Sequence, residues 1–307
     1  MRLTFKRKIK RVSWFSSKVL FYIFSFFVVQ YFSLRFFVES EHKTFYLFFS
    51  VESDTRQKSN EKRLLANSRE MREGLAIGFH AVTFLQFAFA VFYDYTYTIV
   101  PYNVTRVHRA FGGKFKFLTF WDAILQAVFF LICLLNDFYG TNAINPKKPP
   151  FARKLKDYFH ASLGFPVAMF VGVTFWALMF VDRELVLPKA LDLYFPWWLN
   201  HLMHTMIMVT TVFEMVIAPR QYPKRSRGLG ILVGFMLLYL VWMHVIYYKS
   251  GIWVYPVMDV LTQPLQILFF AVLLVFCMIL YIVGETLNNI IWGNEHTKHK
   301  KSHAKSK

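Results

Sequence analysis

Residues 196–217, PWWLNHLMHTMIMVTTVFEMVI, form an apolar run that nevertheless carries Asn200, His201, His204 and Glu214. On a helix, Asn200 and His204 stand four residues apart and His201 and His204 three apart, so they project from one face. Within a bilayer such a face turns toward other protein rather than lipid. A second apolar run, Phe117 to Leu135, carries Thr119 and Asp122 near its start. A hydroxyl beside a neutral histidine is a nucleophile with its base, whereas several histidines around one carboxylate could hold a metal ion.

These side chains need a scaffold, and composition says which. The chain has 307 residues, 56% of them hydrophobic and 20% aromatic, too apolar for a soluble domain and suited to a polytopic membrane protein. Six runs have about the length a bilayer needs, roughly 20 residues each: Leu75 to Val100, Phe117 to Leu135, Ser162 to Val181, Pro196 to Ile217, Leu229 to Tyr248 and Pro264 to Val283. No Lys or Arg interrupts any of them, and turn or charge signals such as 145–150 (NPKKPP) separate them. The pattern predicts an all-α membrane bundle of six core helices over 75–292, followed by a basic tail at 293–307. Before the core, residues 1–74 read as a basic extension with a further hydrophobic segment from Val19 to Phe32 and a polar linker.

The net charge of +18 would suit nucleic acid if the basic residues alternated with exposed aromatics. They lie instead between and beyond the apolar runs, which reads as topology signal and affinity for anionic lipid headgroups. Basic residues are denser in 147–156, 220–227 and the C-terminal tail than in the opposite loops, so the tail is expected in the cytosol. The sequon Asn103-Val104-Thr105 then falls on the lumenal side. Cys133 and Cys277 both lie inside apolar runs and offer neither a disulfide framework nor zinc spacing.

Depth follows from topology, since a helix rises about 1.5 Å per residue. Asp94, Thr119, Asp122, His201, His204 and His244 can share one layer toward the lumenal side, whereas Glu214 is about 15 Å further along its helix than His204. Two chemistries fit the layer. Thr119 could be a nucleophile with His204 as its base and with Asp122, His201 and Asn200 in support. Alternatively His201, His204, His244 and Asp122 could bind a metal. Against both stands the ordinary role of such groups, a threonine capping a helix or a histidine bonding its neighbours.

Six stretches, GGKFKFLTFWD (112–122), QAVFF (126–130), LNHLMHT (199–205), QYPKRSRGL (221–229), GIWVYP (251–256) and GETLNNIIW (284–292), resemble in order and spacing the androgen-induced protein and androgen-dependent TFPI-regulating protein family. The resemblance implies a membrane threonine hydrolase without cofactor or metal, cleaving fatty acid esters of hydroxy fatty acids. It also implies that Thr119 is the nucleophile and His204 the essential histidine. The resemblance does not extend over the first residues, to about Ser68.

The expected protein is therefore an ester hydrolase of the endoplasmic reticulum, another endomembrane or the plasma membrane, drawing a lipid ester from the bilayer. The alternatives are a non-enzymatic membrane regulator, a lipid-binding or transport protein, and a metal-dependent lipid enzyme.

Overall fold

The computed structural model describes the backbone of residues 55–305 and side chains within 70–293. The expected hydrophobic segment from Val19 to Phe32 lies outside the described residues. Two compact units divide at Phe79, Met1–Phe79 and His80–Lys307, and the bundle below is the second of them. Among the described residues the chain is helical, without strands.

The principal helices are α1 (Thr55–Tyr97), α2 (Leu118–Tyr139), α3 (Phe151–Val181), α4 (197–217), α5 (Arg225–Ser250) and α6 (Gln263–Lys305). Helices are what an apolar chain must form in lipid, because only they satisfy every backbone polar group within one segment. Five of the six are long and apolar enough to cross a membrane. The exception is α4, whose Asn200, His201, His204 and Glu214 lower its hydropathy below that of the others. It is also not a plain α-helix, for an α segment Trp197–His201 leads into a π turn at Leu202–Met206 and then into α segment Ile207–Ile217. A second π turn, His160–Gly164, interrupts α3.

Helix ends follow local chemistry. Pro150 and Pro196 stand immediately before α3 and α4, where a missing N–H costs nothing. Gly251, at φ +65°, closes α5 with its N–H on the Tyr247 carbonyl at 2.7 Å, a left-handed cap that glycine adopts without Cβ strain. Gly112 (φ +100°) and Gly113 (φ +55°) reverse the chain ahead of the short turn Gly113–Lys116, which delivers Thr119 into the first turn of α2.

An aromatic core joins α2 to α3. Phe129 meets Phe130, Phe159 and His160 with ring centroids 5.0, 6.1 and 5.1 Å apart. Helix α3 is central, packing on α2, α4 and α6. It approaches α4 at Gly172, where an added Cβ would stand 2.7 Å from the His204 carbonyl oxygen and 2.5 Å from Met208 Sδ. Gly172→Ala is expected to force the two helices apart at a cost of about 1–3 kcal/mol, measured as a lowered thermal midpoint of the detergent-solubilised protein. An unchanged midpoint would mean that α4 yields freely.

A buried charge cluster lies at the Glu214 end of the bundle. His80 of α1 places Nδ1 2.5 Å from Asp137 of α2 and Nε2 2.8 Å from Glu214 of α4. Lys156 of α3 stands 2.9 Å from the other Glu214 oxygen, with Arg220 at 3.5 Å. Beside it, Arg153 grips Asp157 through Nε at 2.8 and 2.9 Å and donates to the carbonyls of Thr141 and Pro219. Four helices and two loops are thereby tied at one level, in a setting where charges must be paired.

Candidate functional site

Thr119 is the second residue of α2, two places beyond the capping position at Phe117, and its hydroxyl reaches across to α4. Its Oγ1 stands 3.2 Å from His204 Nε2. His204 Nδ1 is 3.0 Å from the Asn200 carbonyl, which can only accept, so Nδ1 carries the proton and Nε2 presents a lone pair to Thr119. Phe175 of α3 lies flat on the imidazole with centroids 3.6 Å apart, which fixes the plane of the ring. A hydroxyl facing an unprotonated, oriented nitrogen is an activated nucleophile in geometry.

The remaining residues of the expected layer separate. Asn200 contributes its backbone carbonyl, while its own buried amide has no partner among the described residues. His201 turns to Thr205 Oγ1 at 3.1 Å and rests among Trp176 and Trp197. Asp122 is fully buried but accepts from Gln126 Nε2 at 3.0 Å rather than reaching His204. His244 bonds the Leu240 carbonyl and meets Trp253 edge-on, and Asp94 pairs with Lys114 at 2.9 Å and with Thr98. His201, His204, His244 and Asp122 therefore do not converge on a metal position.

Among the described residues the metal-ligating types that do converge are His80, Cys133 and Glu214, all buried. They suit no cation. Both His80 nitrogens are engaged by carboxylates, and Lys156 and Arg220 already supply the positive charge beside Glu214. His80 is missing from the sequence-derived set although it too is a histidine inside an apolar run, the criterion that singled out His201 and His204.

Two cavities meet at Thr119. One, of about 430 Å³, runs between α3, α5 and α6 and is walled by groups such as Phe170, Leu178, Met236, Leu240 and Phe270. The other, of about 340 Å³, is walled by His204, Arg106, His108, Lys114 and Leu191 among others. Thr119, Phe175, Val186 and Tyr255 line both. The Tyr255 hydroxyl accepts from the Leu118 N–H at 3.1 Å and lies 3.0 Å from the Tyr239 hydroxyl. Tyr239 in turn accepts from Leu118 N at 3.0 Å and donates to the Lys116 carbonyl at 2.8 Å. With the Tyr239 proton committed to that carbonyl, the Tyr255 proton is the one left to point toward Tyr239 or toward a bound group. Burial pushes the Tyr255 hydroxyl above the usual phenol range, so it keeps that proton. Sequence alone gave this pair of tyrosines no distinction, since neither is an ionised group within an apolar run.

A family model for FAR-17a/AIG1-like protein matches residues 75–289. Human androgen-induced gene 1 protein is 39% identical over 194 residues, covering 61% of this chain and 82% of that protein. Human androgen-dependent TFPI-regulating protein is 35% identical over 213 residues, 67% of this chain and 92% of its own length. More distantly, a membrane protein of Schizosaccharomyces pombe is 21% identical over 178 residues, 58% of this chain and 76% of that one. No solved structure matches the chain. A match that spans all six apolar runs, together with relatives covered over most of their length, leads to one conclusion: this multi-pass membrane protein belongs to the FAR-17a/AIG1-like family.

Proposed function

We propose that the chain is an intramembrane ester hydrolase with Thr119 as nucleophile and His204 as general base. The observation that carries this reading is the 3.2 Å approach of Thr119 Oγ1 to the unprotonated nitrogen of His204, at the junction of two cavities. The resemblance in the Thr119 and His204 motifs supplies the substrate class, fatty acid esters of hydroxy fatty acids. The domain reading follows, with 75–292 as the hydrolase core between an extension and a tail.

In the proposed reaction Thr119 Oγ1 attacks the ester carbonyl while His204 Nε2 takes its proton. The resulting imidazolium returns the proton to the leaving alkoxide, releasing the hydroxy fatty acid and leaving an acyl-threonine. Water, deprotonated by His204, then frees the fatty acid. The backbone carbonyl of Asn200 does the orienting that a carboxylate performs in many such sites. Tyr255 is the donor best placed for the oxyanion, and an apolar cavity suits an acyl chain because each CH₂ kept from water contributes roughly 0.8 kcal/mol. The charge bias of the loops puts Thr119 nearer the lumenal face and the tail in the cytosol. A membrane of the secretory pathway, whether endoplasmic reticulum or plasma membrane, is the expected location.

The direct test incubates membranes holding the full chain with the palmitate ester of hydroxystearic acid, then with a fluorophosphonate probe, and maps the labelled peptide. Equimolar release of both acids with the label on Thr119 is expected. Release no greater than from empty membranes, or a label elsewhere, would sink the proposal. Tyr255→Phe is expected to lower kcat about 10²-fold while Thr119 still takes the label. A variant as fast as wild type would remove Tyr255 from the oxyanion role.

A further inference from the structure

The larger of the two cavities has an inner and an outer end. Inside, it is walled by Phe170, Val171 and Phe175 of α3, all buried, and it reaches Thr119. Outside, Leu237 and His244 of α5 and Ile267 and Ala271 of α6 line the same space and are themselves exposed, Ile267 by 71%. Residues that wall a cavity and also face outward mark its mouth, which lies between α5 and α6.

The way these two helices pair accounts for the gap. Toward the Arg225 end they are held close, for a Cβ on Gly228 would stand 2.7 Å from Tyr281 Cε2, and Arg225 Nε donates to Glu285 at 2.7 Å. Toward the Ser250 end they meet through the rings of His244 and Phe270, whose centroids are 5.8 Å apart. The mouth lies deep along both helices. At 1.5 Å per residue, Ala271 is about 12 Å from the Gln263 end of α6 and Leu237 about 20 Å from the Ser250 end of α5. Both helices are long and apolar enough to cross a membrane, so the mouth faces the acyl interior of the bilayer.

The lining says what enters. Among the described residues, no Lys, Arg, Asp or Glu lines this cavity. A carboxylate would be buried there without a counter-ion, which is costly, whereas an alkyl chain only exchanges lipid neighbours for apolar side chains. The smaller cavity ends differently, among exposed Arg106, Glu184 and Asp259. Exposed charged groups hold water, so water has a route to Thr119 from that mouth.

We propose that the gap between α5 and α6 is a lateral port for a fatty acyl chain leaving the bilayer, and that the larger cavity seats the acyl half of the ester, with Ala271 setting the width of the lip. Naming the chain as half of an ester rests on the hydrolase reading, whereas the port and the seat for an alkyl chain do not. Of the two halves of a hydroxy fatty acid ester, the acyl half is the one without a carboxylate, so it is the half this lining accepts. Lipid and water then reach Thr119 by different mouths, and the acyl-threonine is open to water while its chain stays seated.

The test uses the full chain in nanodiscs of phosphatidylcholine and pairs two measurements. The first compares kcat/KM for the palmitate and the acetate esters of hydroxystearic acid, which differ only in the acyl chain. Wild type should favour palmitate, and Ala271→Trp should lower the palmitate-to-acetate ratio about tenfold, the loss from displacing two methylenes, through the KM for the palmitate ester. The second needs no variant: palmitic acid bearing a diazirine in mid-chain is photolysed with the wild-type protein, and the labelled residues are mapped. Adducts on Phe170, Val171 or Phe175, suppressed by excess palmitic acid, are expected.

A ratio that Ala271→Trp leaves unmoved overturns the port. Adducts confined to outward side chains such as Leu238 and Val272, which are exposed and lie outside the cavity lining, overturn the seat, as do adducts in the smaller cavity at Leu191. If neither ester is cleaved yet the α3 wall takes the label, the hydrolase reading fails and the alkyl-chain seat stands. Cleavage of both esters without label on α3 has the opposite meaning.

Discussion

Thr119→Ala is expected to lower kcat/KM for the hydroxy fatty acid ester by about 10³-fold or more and to abolish labelling by fluorophosphonate. No second hydroxyl is offered to His204 Nε2 by the observed hydrogen bonds, so the loss of Oγ1 leaves the base with nothing to deprotonate. His204→Ala should fall equally far, because the two groups act as one unit, and the double variant should be no worse than either single one. Thr119→Ser keeps the reacting oxygen and should retain activity within about tenfold of wild type, the difference being the freedom of an unbranched χ1. Expression-matched membranes and initial rates measure all four. Full turnover by Thr119→Ala would refute the nucleophile, and additive losses in the double variant would mean that the two residues serve different steps.

The second large effect concerns stability. Glu214→Ala should destabilise the bundle by about 3–5 kcal/mol, the cost of leaving a buried charge without its partner. The removed carboxylate is shared by His80 at 2.8 Å, Lys156 at 2.9 Å and Arg220 at 3.5 Å, and all four groups are buried. Lys156 and Arg220 would then lose the carboxylate they share, while the neighbouring Asp157 is already held by Arg153. Pairing Glu214→Ala with Lys156→Met removes one charge of each sign and should recover part of the loss. Thermal unfolding in detergent gives the comparison. A double variant less stable than Glu214→Ala would show that Lys156 does more than neutralise Glu214.

Much of this arrangement is legible in the amino-acid sequence, and the remainder is illegible for definite physical reasons. Apolar runs report helices in lipid directly, because the bilayer sets both their length and their composition. Depth arithmetic places Thr119 and His204 in one layer, and they are 3.2 Å apart. The same arithmetic does not find azimuth: His201 and Asp122 share the layer yet face Thr205 and Gln126. Which residues touch depends on helix crossings and on the π turns, neither of which has a signal in hydropathy. Partners such as His80 with Glu214 are separated by 134 residues and become neighbours only through that packing. Tyr239 and Tyr255 are similar, since a neutral hydroxyl in an apolar chain looks like an ordinary packing aromatic until its hydrogen bonds are seen.

The π turns have a further consequence. Each holds one more residue per turn than α geometry does, which advances everything beyond it by about 100° around the axis. In α4 the π turn Leu202–Met206 contains His204 and precedes Glu214; in α3 the π turn His160–Gly164 lies between Lys156 and Phe175. Both helices therefore carry a phase adjustment between the side chain locked into the charge cluster and the side chain set at Thr119. The cluster acts as the fixed reference of a vernier and the π turn as its offset. Anchoring and aim thereby sit on one helix, with the angle between them set by the extra residue of the π turn.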